Sequence, residues 1–344
     1  MSKQDPLVAA LDIETPEMLE LRRALRAAQL KNGKHAINFA ELREAVFQAA
    51  RDAKVAAGRV PAFRQPKAGV GQTVMPLLHT TDWQCGKVTS DFSMEILEQR
   101  LELMMDKAGA LVDDIGHSRN IGTAHIAFGG DMVEGTTIFP GQVWQVEATL
   151  YAQLFAAVKL LCAVVDGALS RWGSVEVWEE YGNHGRMGRK GEQPAVDNVD
   201  LIAYRITSER YKDHPGVIWH ETSSWHQIMK LGNYRALLVH GDEINSYGGN
   251  HPSYGIVKKV QGWQSGVIEP FTDCYMGHFH QPLVLPLAHG RGRVFVNPSL
   301  ESDNVYAQEF VAATGTPGQR LNYIEPGRGR VTSERIVWLD DDAA

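Results

Sequence analysis

Five short motifs along the chain carry carboxylate, amide and imidazole side chains, the groups that bind metal ions and move protons. In chain order they are Asp82-Trp83-Gln84, Gly130-Asp131, Gly182-Asn183-His184, His240-Gly241 and Gly277-His278-Phe279-His280. Mixed nitrogen and oxygen donors suit Mn²⁺, Fe, Zn²⁺ or Ni²⁺ better than Mg²⁺ or Ca²⁺. The chemistry expected of such a set is metal binding and metal-assisted catalysis.

Taken singly, these motifs are weak signals. An aspartate after a strand is more often a turn or helix cap than a ligand, and a buried histidine is more often a hydrogen-bonded structural group. A His-x-His pair places both rings on one face of a strand, but such pairs also arise by chance. The motifs gain weight together, because each follows a predicted strand and open α/β sheets place their sites at strand ends.

The elements that position the motifs alternate between strand and helix. Val74 to Thr80 has the pattern of a short buried strand, and Ser93 to Ile115 has apolar residues at helical spacing. Ile121 to Phe128 and Val175 to Tyr181 are strand-like and flank a long helical stretch from Val143 to Trp172. This alternation predicts a layered α/β domain.

The rest of the chain divides into a strand-rich C-terminal part and an N-terminal extension. One helical stretch, Ser253 to Ser265, interrupts a series of predicted strands: Val217 to Glu221, Trp225 to Lys230, Ala236 to His240, Cys274 to His278, Leu283 to Leu287, Val294 to Val296 and Ile336 to Leu339. Apolar spacing and capping signals predict two helices near the N-terminus, followed by a linker rich in glycine and proline. We therefore predict a helical extension and linker over residues 1–70 and a catalytic domain over residues 71–344.

Composition narrows the classes of function. The 344 residues include 34 Lys plus Arg against 41 Asp plus Glu, a formal net charge of −7, and 44% are hydrophobic. These values fit a globular chain with a sizeable core and speak against a generally basic nucleic-acid binder, which contacts phosphates through Lys and Arg. The three cysteines form no CxxC pair, and no signal peptide or long apolar run is present. We expect a cytoplasmic protein without membrane association.

The order of the motifs resembles that of the calcineurin-like metallophosphoesterase superfamily, whose pattern is Asp-x-His, Gly-Asp, Gly-Asn-His-Asp/Glu, His and Gly-His-x-His. The resemblance covers about residues 74 to 300, and four of the five motifs match well. It implies a four-layer α/β/β/α sandwich with a two-metal site, here with the N-terminal helical extension added. Two divalent ions about 3.5 to 4 Å apart can hold a bridging hydroxide and orient a phosphate for in-line attack.

The resemblance also implies a role for each matching residue. Asp131 is expected to bridge both ions, and His184 is expected to lie beside the phosphate as general acid or as a stabiliser of developing charge. The remaining ligands are, for the first ion, Asp82, Gln84 and His280 and, for the second ion, Asn183, His240 and His278. Mn²⁺ is the metal expected first, with Fe, Zn²⁺ or Ni²⁺ as alternatives.

Two residues depart from the family pattern. Gln84 stands in place of a histidine, and an amide oxygen is a weaker ligand for a transition metal than imidazole, so the first ion should bind more loosely or be a harder ion such as Mn²⁺. Gly185 stands where an acidic residue normally orients the neighbouring His184. Either the ring is less well oriented, or another carboxylate holds it. The candidates are Glu180, Glu243 and Glu134.

Four side chains are candidate substrate contacts by position: Arg186, Arg189, Trp83 and Tyr247. The two arginines, with Lys190, lie in a basic loop just after His184 and suit phosphate contacts, with a solvated loop as the alternative. The tryptophan, like Phe279, is a candidate to stack on a base, although such rings are more often cavity walls or core. The tyrosine follows the fourth motif in a glycine-containing loop.

Within the superfamily, the motif details look more like the bacterial and phage-type enzymes related to SbcD DNA-repair exonucleases than like protein phosphatases. The leading hypothesis is therefore a Mn²⁺-dependent phosphodiesterase acting on DNA, either single-stranded or at its ends, in a bacterial or phage-infected cell. A small-molecule phosphatase or cyclic-nucleotide phosphodiesterase is one alternative. A catalytically impaired, metal-bound binding module is another. The N-terminal helices are expected to pack against the sheet edge, or else to hold nucleic acid, a partner protein or a second copy of the chain.

Overall fold

The computed structural model describes residues 60–63, 71–136, 138–139, 141–188, 190–244, 252–288, 292–301 and 315–340. The predicted N-terminal helices and most of the predicted linker lie outside these residues, as do Arg189 and Tyr247. The described residues form two β-sheets with helices packed on their outer faces. The sequence prediction of a layered α/β domain is confirmed.

The N-terminal half of the described chain alternates strand and helix. Its elements are β1 (Thr73–Thr80), α1 (Met94–Gly116), β2 (Asn120–Ile121), β3 (Ala124–Phe128), α2 (Leu150–Trp172), β4 (Val175–Glu179), α3 (Val199–Tyr211) and β5 (Val217–His220). Strands β1, β3, β4 and β5 pair in parallel, in that order. Their carboxyl ends therefore meet at one edge of the sheet.

The C-terminal half supplies a second sheet and completes the first. Its elements are β6 (Gln227–Leu231), β7 (Tyr234–Leu238), α4 (Ser253–Gly262) with a π-helical turn (Trp263–Val267), β8 (Asp273–Met276), β9 (Val284–Pro286), β10 (Arg293–Val296), β11 (Gly318–Glu325) and β12 (Arg330–Trp338). Among the described residues, the larger sheet has seven strands in the order β12-β11-β1-β3-β4-β5, with β2 beside β1. The smaller sheet has five, in the order β6-β7-β8-β10-β9.

The two sheets and the helices on their outer faces form four layers, and three apolar clusters fill the spaces between them. Within β1, the neighbours Leu77 and Leu78 point to opposite faces of the larger sheet, as alternate residues of a strand do. Leu78 packs in the cluster that holds helices α1, α2 and α3 on the sheet, whereas Leu77 packs against the smaller sheet through residues such as Leu238. A third cluster, including Ile256, joins α4 to the outer face of the smaller sheet. The predicted four-layer α/β/β/α sandwich is confirmed.

The structure differs from the sequence prediction at several points. Strand β12 begins at Arg330, not at Ile336, and the predicted strand from Ile121 to Phe128 is divided into β2 and β3. One helix start and two additional elements also differ. Helix α2 begins at Leu150, not at Val143, because the side chain of Thr149 caps it by accepting a hydrogen bond from the backbone N–H of Ala152. Helix α3 and strand β11 were not predicted. Both bury polar side chains, such as Asp200 in α3 and Asn322 in β11, so neither shows a simple apolar period.

Helix α2 is long and apolar enough to cross a membrane by length and composition alone, but most of its apolar stretch is buried inside the fold. The helix lies between α1 and α3 on the larger sheet. Packing within the helical layer therefore accounts for its apolar composition.

Candidate metal centre

The candidate ligands lie directly after strands of both sheets, on the loops where those strands end. Strands β1, β3 and β4 of the larger sheet and β7 and β8 of the smaller sheet precede them. In chain order these residues are Asp82, Gln84, Asp131, Asn183, His240, His278 and His280. The structure gathers them into two neighbouring groups.

The first group, here called the His240 group, consists of Asp131, Asn183, His240 and His278. The donor atoms of Asp131, His240 and His278 all lie within 4.8 Å of one another. His240 Nε2 lies 3.0 Å from Asp131 Oδ2 and 3.1 Å from Asn183 Oδ1. Its Nδ1 donates a hydrogen bond to the carbonyl oxygen of Gly129 at 2.9 Å. Because a carbonyl only accepts, Nδ1 carries the proton, and the lone pair of Nε2 is directed into the group.

The second group, here called the His280 group, consists of Asp82, Gln84 and His280. His280 Nε2 lies 3.2 Å from Asp82 Oδ1 and 3.4 Å from Gln84 Nε2. On the other side of the ring, Nδ1 lies 2.9 Å from Oε1 of the buried Glu301. A carboxylate behind a ligating imidazole fixes its ring orientation and raises its basicity. Sequence reasoning missed Glu301, which becomes a neighbour of His280 only in the folded chain.

The backbone at these loops is strained in a way that also marks the centre. Among the described residues, positive φ angles at residues other than glycine occur at five positions only: Asp82 (54°), Gln84 (47°), Asp131 (55°), His278 (64°) and His280 (53°). Residues with a β-carbon rarely adopt this left-handed region, and such strain persists where the surrounding structure imposes it, often at functional sites. Every one of the five is a predicted ligand.

The electrostatics of the two groups fit a bound cation. Burial disfavours a charged His240, but the Asp131 carboxylate outweighs burial and holds the pKa of His240 well above its ordinary value. Burial likewise opposes a charged His280, yet Asp82 and Glu301 raise its pKa to about 10. Buried carboxylates therefore draw protons onto these two imidazoles, whereas burial and the neighbouring His240 lower the pKa of His278 to about 4. A divalent cation supplies the same compensation, since it replaces those protons at the ring nitrogens. The donor set thus fits the predicted ions, whose ligation remains a prediction.

His184 is held beside the His240 group by Glu134. Its Nδ1 donates to the backbone oxygen of Glu134 at 2.9 Å and lies 3.2 Å from Glu134 Oε2, while its Nε2 lies 4.0 Å from Asp131 Oδ2. Burial would lower the pKa of His184, but Glu134 and Asp131 raise it to about 9. Of the three carboxylates predicted for this role, the structure places Glu134 against the ring.

The glycine at position 185 has a steric reason. A β-carbon on Gly185 would lie 2.1 Å from Asn198 Oδ1 and 3.1 Å from Asp200 Cγ. The space that an acidic side chain would need is therefore filled by two residues from the start of helix α3. Those residues also organise the loops of the centre, and Glu134 orients His184 through its Nδ1.

Asp200 is the main organising residue that sequence reasoning missed. It is completely buried, and its two carboxylate oxygens accept four backbone hydrogen bonds. The donors are the N–H groups of Asp131 (2.8 Å), Met132 (3.1 Å), Val133 (3.3 Å) and Gly182 (2.9 Å). The carboxylate thus joins the loop of Asp131 to the loop of Asn183 and His184. The one available signal was Asn198, whose side chain accepts from the Asp200 N–H as a helix cap.

The prediction that Trp83 stacks on a substrate base was wrong. Trp83 is completely buried, and its Nε1 donates to Thr80 Oγ1 at 2.6 Å. Its ring packs edge-on against Phe128, with ring centroids 5.8 Å apart. The side chain belongs to the core between the larger sheet and the helices. Phe279 packs on His278, with centroids 5.1 Å apart, and against the core of the smaller sheet.

Arg186 lies in a cavity of about 190 Å³ beside the loop of Gly182, lined also by Lys190, Trp225 and Asp242. The guanidinium of Arg186 is ion-paired with Asp242, and Lys190 Nζ lies 3.5 Å from the same carboxylate. An anionic substrate would therefore compete with Asp242 for both cations. The predicted contact between Arg186 and phosphate remains a prediction, while Arg189 and Tyr247 lie outside the described residues.

No protein-family model matches the sequence, and no curated protein matches it. Among solved structures, the chain is similar to a predicted phosphoesterase from Streptococcus pneumoniae, with 10% identity over 77% of this chain and 99% of the other and a TM-score of 0.31. It is also similar to an archaeal phosphodiesterase, with 10% identity over 76% of this chain and 99% of the other and a TM-score of 0.35. A third similar structure is a purple acid phosphatase from yellow lupin seeds, with 11% identity over 79% of this chain and 55% of the other and a TM-score of 0.35. The names of all three describe proteins that cleave phosphate esters.

Proposed function

We propose that this chain is a metal-dependent phosphoesterase that hydrolyses phosphodiester bonds. The observation that carries the proposal is the His240 group, in which the donor atoms of Asp131, His240 and His278 lie within 4.8 Å of one another. One carboxylate and two imidazoles on strained, buried loops form a typical donor set for a catalytic transition metal with open coordination positions. His184 lies beside the group, where a reacting phosphate would be.

The residues that would hold the metal are those of the two groups. The His240 group would hold one divalent ion and the His280 group a second, with Asp131 between them, and Mn²⁺ is the first choice ahead of Fe, Zn²⁺ or Ni²⁺. When bound, such ions activate water and neutralise charge on the phosphate. The protein contributes the geometry, since Asp200 fixes two ligand loops and Glu301 fixes the ring of His280.

His184 is the proposed general acid. Its backbone N–H donates to Asp131 Oδ1 at 2.7 Å, which fixes its position relative to a ligand. Glu134 accepts from Nδ1, so the proton at Nε2 is the one available to a leaving oxygen. Proton donation to the leaving group is the step that a phosphodiester requires when its leaving group is an alkoxide.

For the substrate, we propose DNA, single-stranded or at its ends, because the motif details resemble those of bacterial and phage nucleases. A small-molecule phosphate ester is the second candidate. The cavity of about 190 Å³ beside the Gly182 loop favours it, since an aromatic ring, Trp225, and two cations, Arg186 and Lys190, line that space. A compact ligand with one phosphate and one ring would match this lining.

Metal-depleted protein tested against a substrate panel separates these possibilities. We expect added Mn²⁺ to support hydrolysis of bis(p-nitrophenyl) phosphate and Asp131→Asn or His240→Ala to abolish it. Asp106→Asn is the matched control, because this exposed aspartate contacts Arg171 far from the centre. The panel contains single-stranded DNA, duplex DNA, cyclic nucleotides and a phosphomonoester. Full activity in the presence of a chelator, or in both variants, would contradict the proposed function. Cleavage of the phosphomonoester alone would reject the hypothesis that the chain is a nuclease.

A metal-bound binding module, the remaining alternative, predicts a different pattern. It would bind the ion with the affinity of an enzyme, and substitution of Asp131 would weaken that binding. It would hydrolyse no member of the panel. Metal analysis on the same samples therefore distinguishes loss of catalysis from loss of the ion.

A further inference from the structure

A buried lysine lies against the His280 group. Lys87 is only 3% exposed, and its Nζ donates to Gln84 Oε1 at 3.2 Å and forms an ion pair with Glu301 Oε2. It follows Gln84 in a tight turn, closed by a backbone hydrogen bond of 3.0 Å from the Lys87 N–H to the Gln84 carbonyl. The buried Glu301 carboxylate compensates for the burial of the Lys87 ammonium, which therefore keeps its charge. A fixed positive charge therefore stands beside this ion position.

Lys87 also sets the orientation of the Gln84 amide. An ammonium group only donates hydrogen bonds, so the amide must turn its oxygen toward Lys87. The amide nitrogen then faces His280 Nε2, at 3.4 Å. An amide binds a metal through its oxygen, because the nitrogen lone pair is delocalised. Lys87 thus takes one of the two lone pairs on the only atom with which Gln84 could bind an ion, and an ion there would share this oxygen with an ammonium.

Glu301 connects the same ammonium to a second ligand. One carboxylate oxygen contacts Lys87 Nζ, and the other lies 2.9 Å from His280 Nδ1. The negative charge that would strengthen His280 as a ligand is therefore shared with a lysine. Two of the three residues of the His280 group, Gln84 and His280, are therefore weakened as ligands by one cation.

The His240 group has no such neighbour. Among the described residues, no Lys or Arg donates to or ion-pairs with the donor atoms of Asp131, His240 or His278. The partners of His240 are oxygen atoms of Gly129, Asn183 and Asp131. The His240 group thus has only the titratable His184 ring beside its carboxylate, 4.0 Å from Asp131 Oδ2, whereas the His280 group has a buried lysine against Gln84.

We propose that Lys87 makes the centre bind its ions unequally, with one divalent ion held tightly by the His240 group and a second held weakly at the His280 group. The ammonium repels a second ion, and its hydrogen bond makes the Gln84 oxygen a weaker ligand for that ion. Like charges a few ångströms apart in a protein interior interact strongly enough to change affinity by about tenfold or more. The inference rests on the proposed function for the presence of metal, but it concerns affinity and stoichiometry, not turnover.

The test is a calorimetric titration of metal-free, full-length protein with Mn²⁺, combined with electron paramagnetic resonance to detect coupling between two bound Mn²⁺ ions. We expect the wild type to bind one ion tightly and a second at least about tenfold more weakly. Lys87→Met, a neutral side chain of similar length, is expected to strengthen the second binding event about tenfold and to leave the first unchanged. Lys159→Met is the matched control, because that lysine pairs with Glu98 on the surface.

Two further variants provide the test if Lys87→Met does not fold. Lys87→Gln keeps a donor for Glu301 without the charge, and it should strengthen the second ion as Lys87→Met does. Lys87→Arg keeps the charge and should leave the second ion weak. Two equal affinities in the wild type, or an unchanged second affinity in a folded neutral variant, would overturn this inference but not the proposed function. Absence of any bound ion would overturn the proposed function with it.

Discussion

Asp200→Asn tests whether one carboxylate organises the metal centre from outside it. The substitution keeps the size and shape of the side chain but leaves one acceptor oxygen where there were two. In the wild type, Oδ2 accepts from the N–H groups of Asp131 and Gly182, and Oδ1 accepts from those of Met132 and Val133. In either orientation of the amide, two backbone donors would face an NH₂ group, which cannot accept their hydrogen bonds.

The expected cost follows from those two lost bonds. Hydrogen bonds to a charged acceptor contribute roughly 1.5 to 3 kcal/mol each, so losing two costs about 3 to 6 kcal/mol. Burial and the nearby Asp131 raise the pKa of Asp200 to about 6, which shows that its charged form is itself disfavoured in the fold. A neutral amide avoids that penalty. We therefore expect the free energy of unfolding to fall by about 3 kcal/mol, at the low end of the range.

The loops released by Asp200→Asn carry ligands, so the affinity for Mn²⁺ should fall as well, by about tenfold to 100-fold, as is typical when a residue that orients ligands is replaced. Asp273→Asn is the matched control. Asp273 is also buried and accepts from Tyr234 and from the Arg293 N–H, but it lies in the smaller sheet, away from the centre. Urea unfolding and calorimetric Mn²⁺ titration of both variants measure the two effects. Unchanged Mn²⁺ affinity in folded Asp200→Asn, or an equal loss in Asp273→Asn, would refute the reasoning.

Two further variants test a ligand and a buried titrating group. Gln84→His should strengthen the weaker ion about tenfold in the same titration, because imidazole is the better ligand, and an unchanged affinity would mean that Gln84 is not a ligand. Burial lowers the pKa of His125 from 6.5 to about 4. The free energy of unfolding is therefore highest above pH 6.5. It falls by about 3 kcal/mol in total as the pH drops toward 4, because the unfolded chain takes up a proton that the buried ring does not. His125→Asn, which keeps an acceptor for Trp178 Nε1, should flatten that slope in urea unfolding between pH 7.5 and 4.5; an unchanged slope would assign it to other groups.

The fold could be predicted wherever apolar residues follow a period. Strand β1 and helix α1 begin and end within one residue of their predicted limits, because an apolar run and a helical stripe with Ser93 as the cap mark them. Strand β11 has no such pattern, since all eight of its residues are buried, polar ones included. Gln319 in this strand accepts from the Thr81 N–H and from Asn297, which lie far away in the sequence. A period in the sequence cannot show a burial that depends on distant partners.

The same distinction explains which parts of the centre the sequence revealed. Its candidate ligands follow strands in recognisable motifs, whereas the groups that tune them lie in no motif. Lys87 is an ordinary cation in the sequence, and it acquires a role only because the chain brings Glu301, more than 200 positions later, against both it and His280. Spacing can therefore predict where a metal would bind, but how tightly it binds depends on these long-range ion pairs. For this reason the substitutions at Lys87 and Asp200 test more of the structure than substitutions of the ligands themselves.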